Sequence, residues 1–88
     1  MGYSNIGSGS GGGGGVVFYN QEFPPATLGQ TVFTLSGTPT INSQLVMVNG
    51  LPAYPGISND YTISSNMITF NYGLELNDEV MVGYSQNI

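Results

Sequence analysis

The chain has 88 residues, enough for one small domain, and its five carboxylates with no lysine, arginine or histidine give a formal net charge of −5. Nucleic acids and anionic membranes are bound mainly through cationic side chains, so we expect neither as a partner. Cysteine is also absent, which excludes disulfides and a cysteine nucleophile and, with no histidine, a zinc site.

Residues 1–15 form a glycine- and serine-rich arm that precedes a predicted single β domain over residues 16–88. The arm has almost no side chains to bury, so it has no reason to fold by itself. Bare glycine backbone can lie closely against another backbone, and we predict that a partner subunit holds the arm; the alternative is a plain tether. The candidate contact residues in the arm are Gly11, Gly12, Gly13, Gly14 and Gly15.

Short apolar runs after the arm predict β-strands. Asn49-Gly50 lies between two such runs, and this dipeptide predicts a type I′ hairpin because both turn positions require positive φ. Pro52 cannot donate to a ladder, so the strand after the turn is predicted at a sheet edge. The strands predicted in this half of the chain are Val16–Tyr19, Thr31–Leu35, Leu45–Val48 and Leu51–Tyr54.

The segment from residue 61 to residue 70 predicts a second hairpin with a defined register. A two-residue loop at Ser65-Asn66 makes directly opposed residues share a face. One face is then apolar and the other carries hydroxyl groups, an arrangement that a slip of one residue would destroy. The predicted pairs are Tyr61 with Phe70, Thr62 with Thr69, Ile63 with Ile68, and Ser64 with Met67.

The last predicted strand is Glu79–Tyr84, with Val80, Val82 and Tyr84 directed to the core and Met81 and Gly83 directed outward. No segment has a helical period with capping residues. About six or seven short strands at regular spacing predict an all-β fold. The expected architecture is a small antiparallel β-sandwich or a partly open barrel.

Glu75, Asp78 and Glu79 lie together in the predicted turn before the last strand. Glycoside hydrolysis needs two carboxylates across the scissile bond and neighbours that raise the pKa of one of them. With no basic side chain in the chain, we predict no catalytic residue and no cofactor. The turn, with Asp60, could bind calcium through oxygen ligands, but a solvated turn is the commoner role of acidic loop residues, and we predict no metal ligand.

The composition favours a protein that works in contact with others. Charged residues make up 6% of the chain, against about a quarter in an average soluble domain. Soluble monomers usually keep apart through mixed surface charge, so a neutral surface suits permanent burial against neighbours. Tyr54 and Tyr72 are predicted to be exposed and are candidate contacts for a protein or a glycan. The alternative is that they are core or cross-strand aromatic residues.

Short motifs follow one another between residues 31 and 84: a V-N-G turn, a D-Y-T strand, an I-T-F strand and a final L-x-x-D-x-V-x-V-x-Y strand. In this order and spacing they resemble a β module of bacteriophage and other virion structural proteins. The residues that carry the resemblance are Val46-Met47-Val48-Asn49-Gly50-Leu51, Pro55-Gly56, Asn59-Asp60-Tyr61-Thr62-Ile63, Ile68-Thr69-Phe70 and Leu76-Asn77-Asp78-Glu79-Val80-Met81-Val82-Gly83-Tyr84.

The resemblance implies a non-enzymatic structural protein of the virion, with capsid or tail proteins as partners and a homo-oligomer, with a trimer favoured, as its assembly. It supplies no catalytic residue. The short chain and the lack of a coiled-coil stem favour a capsid decoration or cement protein over a long fibre. A short tail fibre, spike or adaptor that recognises a host glycan or protein is the alternative, and a free-standing enzyme or lectin is the third reading.

Overall fold

The computed structural model describes residues 15–87. These residues form seven strands in two antiparallel sheets. The described part of the chain contains no helix, and therefore no helix long and apolar enough to cross a membrane. The larger sheet has the order β1-β7-β3-β4 and the smaller one β2-β6-β5. This confirms the all-β prediction, with the two sheets sharing one core. The strands are β1 (Val16–Glu22), β2 (Val32–Thr34), β3 (Leu45–Val48), β4 (Leu51–Ala53), β5 (Tyr61–Ser64), β6 (Met67–Phe70) and β7 (Val80–Asn87).

The β5–β6 hairpin has the register predicted from the sequence. All four predicted pairs are present, from Tyr61 opposite Phe70 to Ser64 opposite Met67. Ser65 has a φ of 56°, and tight two-residue hairpin turns need such positive φ values. Tyr61, Ile68 and Phe70 are buried, so the apolar face of this hairpin is confirmed as a core face.

The β3–β4 hairpin turns at Asn49-Gly50, where φ is 53° and 81°. Both values lie in the left-handed region that the type I′ turn requires, which confirms the predicted turn. β4 is the last strand of its sheet, as Pro52 predicted. The chain then passes from β4 in the larger sheet to β5 in the smaller one, and an isolated parallel bridge pairs Pro55 with Tyr61 at this crossing.

Strands β1 and β7 are longer than the sequence predicted. They pair antiparallel over seven residues, from Val16 opposite Asn87 to Glu22 opposite Met81. The added residues are mostly polar, such as Asn20 and Gln86, and no apolar pattern signals them. The backbone ladder between the two strands decides their length instead.

The core lies between the inner faces of the two sheets. Phe33 is central in it, with edge-to-face ring contacts to Phe23 at 5.2 Å and to Phe70 at 5.6 Å between ring centroids. The three core positions predicted on β7 are confirmed. The buried apolar residues are Ala26, Phe33, Leu35, Val46, Ala53, Tyr61, Ile68, Phe70, Leu74, Val80, Val82 and Tyr84.

Candidate functional site

The two sheets carry different outer faces. Side chains alternate between faces along a strand, so burial of Val46 and Val82 directs Leu45, Met47 and Met81 outward. The register adds Pro52 and Phe18 to the same side. The apolar side chains on this side, which we call the apolar face, are Phe18, Leu45, Met47, Pro52 and Met81; the register places Asn20 and Glu22 of β1 on the same side.

The outer face of the smaller sheet is largely polar by comparison. The pairing of β2, β6 and β5 directs Thr34, Thr62 and Thr69 outward together with Ser64, and Val32 and Met67 are the apolar side chains among them. In a two-layer antiparallel fold the outer face of each sheet is normally solvated and polar. The apolar face departs from this rule, with Leu45 56% exposed.

A cleft of about 430 Å³ opens on the larger sheet beside the apolar face. Met47 and Met81, which oppose each other across β3 and β7, line it. Glu22, at the end of β1, and Glu79, just before β7, also line it, and both are exposed. We call this the methionine cleft; it combines an apolar surface with two carboxylates.

Asn49 fixes the main chain at one side of this cleft. Its Oδ1 atom accepts a hydrogen bond from the Glu79 N–H at 2.8 Å, and its Nδ2 atom donates to Asp78 Oδ1 at 2.8 Å. Its own main-chain N–H donates to the Glu79 carbonyl at 2.7 Å. The hairpin turn therefore holds the acidic turn, a role beyond the turn geometry that the sequence predicted for Asn49.

The acidic turn is closed by its own hydrogen bonds. Asp78 Oδ2 accepts from the Glu75 N–H at 2.8 Å, so both carboxylate oxygens of Asp78 have protein donors. Asp60 bonds elsewhere, in the cluster described next. Over residues 15–87, no three carboxylates are grouped so that they could hold a metal ion.

Tyr54, Asp60 and Tyr72 form a separate cluster, which we call the tyrosine cluster. The Tyr72 hydroxyl donates to Asp60 Oδ1 at 2.9 Å, and the Tyr54 main-chain N–H donates to Asp60 Oδ2 at 2.8 Å. The two tyrosines are 61% and 48% exposed, as the sequence predicted. The structure thus joins both predicted contact residues through one carboxylate.

The loop that presents this cluster is held by Asn71. Its Nδ2 atom donates to the carbonyls of Gly56 and Asn59, both at 2.9 Å, and its main-chain N–H donates to the Asp60 carbonyl. These bonds satisfy carbonyls that a loop would otherwise leave to water. The tyrosine cluster is therefore presented by a hydrogen-bonded loop rather than by a strand.

The hydrogen bonds of the cluster shift two pKa values. Two hydrogen bonds lower the pKa of Asp60 from its ordinary value of 3.8, because both donate to the charged form. The Tyr54 N–H has the larger effect and the Tyr72 hydroxyl the smaller one. Partial burial, followed by the hydrogen bond to Asp60 and its charge, raises the pKa of Tyr72 from 10.0. Both shifts favour the same state, in which the Asp60 carboxylate is charged and the Tyr72 phenol is neutral.

We expect Tyr72→Phe to raise the pKa of Asp60 while leaving it below 3.8, because the main-chain donor at Tyr54 stays in place. Since folding lowers this pKa, the stability that Asp60 contributes is present above pH 3.8 and is lost as the pH falls through the folded-state pKa. Carbon NMR of the aspartate carboxyls measures the shift. Tyr54→Phe is the control and should leave the pKa unchanged, since only the main chain of Tyr54 donates; an unchanged pKa in Tyr72→Phe contradicts the assignment.

The predicted arm contacts at Gly11, Gly12, Gly13 and Gly14 lie outside the described residues. Gly15 is half-buried and leads directly into β1. The apolar face was missed by sequence reasoning, although a signal for it exists. Val16–Tyr19 and Leu45–Val48 are apolar at every position, so they place apolar side chains on both faces of the sheet.

Comparison with protein-family models, with curated proteins and with solved structures gives no match for this chain. The fold and the two surfaces described above are therefore the basis for a functional proposal. Those surfaces are the apolar face with its methionine cleft and the tyrosine cluster.

Proposed function

We propose that this chain is a non-enzymatic structural protein of a phage virion. In this role it binds the particle surface as a capsid decoration or cement protein and stabilises the junctions between shell subunits. The observation that supports the proposal best is the apolar face in a chain that has no cationic side chain. Contiguous exposed apolar patches on soluble proteins mark interaction sites.

Burial of the apolar face supplies the binding free energy in this proposal. A fully buried leucine, methionine or phenylalanine side chain contributes about 1.5–3 kcal/mol before the costs of association. A protein that binds the assembled shell but not the separate subunits stabilises the shell by mass action.

In this proposal the arm supplies a second contact with the particle. Gly15 continues directly into β1, the edge strand that carries Phe18 on the apolar face. Two linked contacts bind more tightly than either does alone, because the second becomes intramolecular. We further propose a homo-oligomer, with a trimer favoured by the resemblance to virion β modules.

Deletion of residues 2–15 is expected to abolish binding to particles assembled without this protein. Leu45→Asn should weaken binding as well, because it places an amide in a buried apolar contact. Leu28→Asn is the matched control: Leu28 lies outside the apolar face and is 75% exposed. Occupancy per particle, measured by quantitative gel analysis after sedimentation, reports the result. Full occupancy after the deletion, or equal effects of the two leucine substitutions, contradicts the proposal.

The alternative is a short tail fibre, spike or adaptor module, and the tyrosine cluster is the observation that favours it. Exposed aromatic rings beside a carboxylate offer stacking and hydrogen bonding to a glycan or a protein. In that case Tyr54→Ala and Tyr72→Ala block adsorption to host cells and leave the heat stability of the shell unchanged. For a decoration protein that binds through the apolar face, both variants should leave adsorption normal.

A further inference from the structure

We infer that the methionine cleft binds an extended segment of a partner protein that carries arginine or lysine at alternate positions among apolar residues. The inference deepens the proposed function, on which it rests, by giving the chemistry of the surface that the apolar face meets.

The charge of the cleft favours a cationic occupant. Glu22 and Glu79 line it, and the chain has no lysine, arginine or histidine to neutralise them. A second copy of the chain brings no cationic side chain to these glutamates, and any carboxylate of that copy placed against them would disfavour binding. A partner with arginine or lysine turns the same two groups into favourable contacts.

The apolar part of the cleft suits the remaining atoms of such a segment. Met47 and Met81 oppose each other across neighbouring strands, and flexible, polarisable methionine side chains adapt to apolar groups of varied shape. Arginine and lysine carry an apolar stem below the charged group. The stem can therefore pack on the methionines while the charged end reaches a glutamate.

The register favours two cations at alternate positions of the bound segment. Glu22 is directly opposite Met81, and Glu79 precedes Met81 by two residues, so the glutamates are diagonal neighbours. Diagonal neighbours in an antiparallel pair lie about 7–8 Å apart. Alternate side chains on one face of an extended segment lie about 6.4–6.8 Å apart. The two spacings match closely enough for both contacts to form together.

The test uses the full chain and a fluorescein-labelled hexapeptide in which valine alternates with arginine, with binding followed by fluorescence anisotropy. Glu22→Gln and Glu79→Gln should each weaken binding about threefold, and the double variant about tenfold, as for solvent-exposed ion pairs. Glu75→Gln is the matched control, because it removes the same charge from a residue outside the cleft. NMR shifts on peptide addition should be confined to the cleft and include the methyl groups of Met47 and Met81.

The inference is overturned by an equal effect of Glu75→Gln, by equal binding of a peptide with glutamate in place of arginine, or by shifts elsewhere on the domain. Methyl shifts of Met47 and Met81 that grow with protein concentration without peptide also overturn it and assign the cleft to a second copy. The assay contains no particles. A failure here therefore leaves the occupancy experiment standing, and a loss of occupancy cannot be mistaken for a failure of the cleft.

Discussion

Replacing Phe33 by alanine is expected to lower the free energy of unfolding by about 3–5 kcal/mol. Phe33 is buried and contacts the rings of Phe23 and Phe70 edge to face, so the substitution removes apolar burial and leaves a cavity between the sheets. A domain of this size has a total stability of only about 5 kcal/mol. The alanine variant should therefore retain only about 0–2 kcal/mol of stability, with up to about half of the molecules unfolded at room temperature.

Urea denaturation followed by tyrosine fluorescence measures this effect. Phe33→Leu keeps most of the volume and should stay folded with a smaller loss of about 1–2 kcal/mol. Ile41→Ala is the exposed control: Ile41 is 87% exposed and should change stability by less than about 0.5 kcal/mol. A loss below about 1 kcal/mol in Phe33→Ala contradicts the central place of this ring in the core.

Replacing Asn49 by valine is expected to lower the free energy of unfolding by about 2–3 kcal/mol. Asn49 has a φ of 53°, a conformation that costs a residue with a β-branched side chain about 1–2 kcal/mol. The substitution also removes the side-chain hydrogen bonds to Glu79 and Asp78. Each such bond contributes about 0.5–1.5 kcal/mol, and exposed ones lie at the lower end.

A second variant at the same position separates the two causes. Asn49→Gly keeps the backbone conformation without strain and loses only the side-chain hydrogen bonds, so it should cost about 1 kcal/mol. Denaturant midpoints of the two variants give the difference. Equal losses for valine and glycine would show that backbone conformation contributes nothing to the effect.

Parts of this fold can be predicted from the sequence because the residues that determine them are close together in the chain. The β5–β6 register follows from a two-residue loop and from alternation on both sides of it, so every determinant lies within ten consecutive residues. The Asn49-Gly50 turn is equally local, because only residues that tolerate positive φ can occupy it. The exposure of Tyr54 and Tyr72 was also predicted, although the carboxylate that joins them was not.

The sites depend on contacts between residues distant in the chain. Asn49 reaches Asp78 and Glu79 across about thirty positions, and Tyr72 reaches Asp60 across twelve. A polar side chain has many possible hydrogen-bond partners along the sequence. Hydrophobic periodicity predicts strands and their faces, but it does not predict which of these partners the side chain bonds in the folded domain. The methionine cleft is not local either, since Glu22 comes from the first strand and Met81 from the last.

The sequence by itself determined the fold class, two hairpins, the core face of the last strand and the lack of any cationic group. Tertiary structure alone decided that the last strand lies between β1 and β3, which extends both β1 and β7 through polar residues. Tertiary structure also decided which residues face outward in the strands that are apolar at every position. The physical reason is that a strand pattern fixes what lies on each face, whereas the neighbours of a strand are chosen by the combined burial and backbone hydrogen bonding of the whole domain.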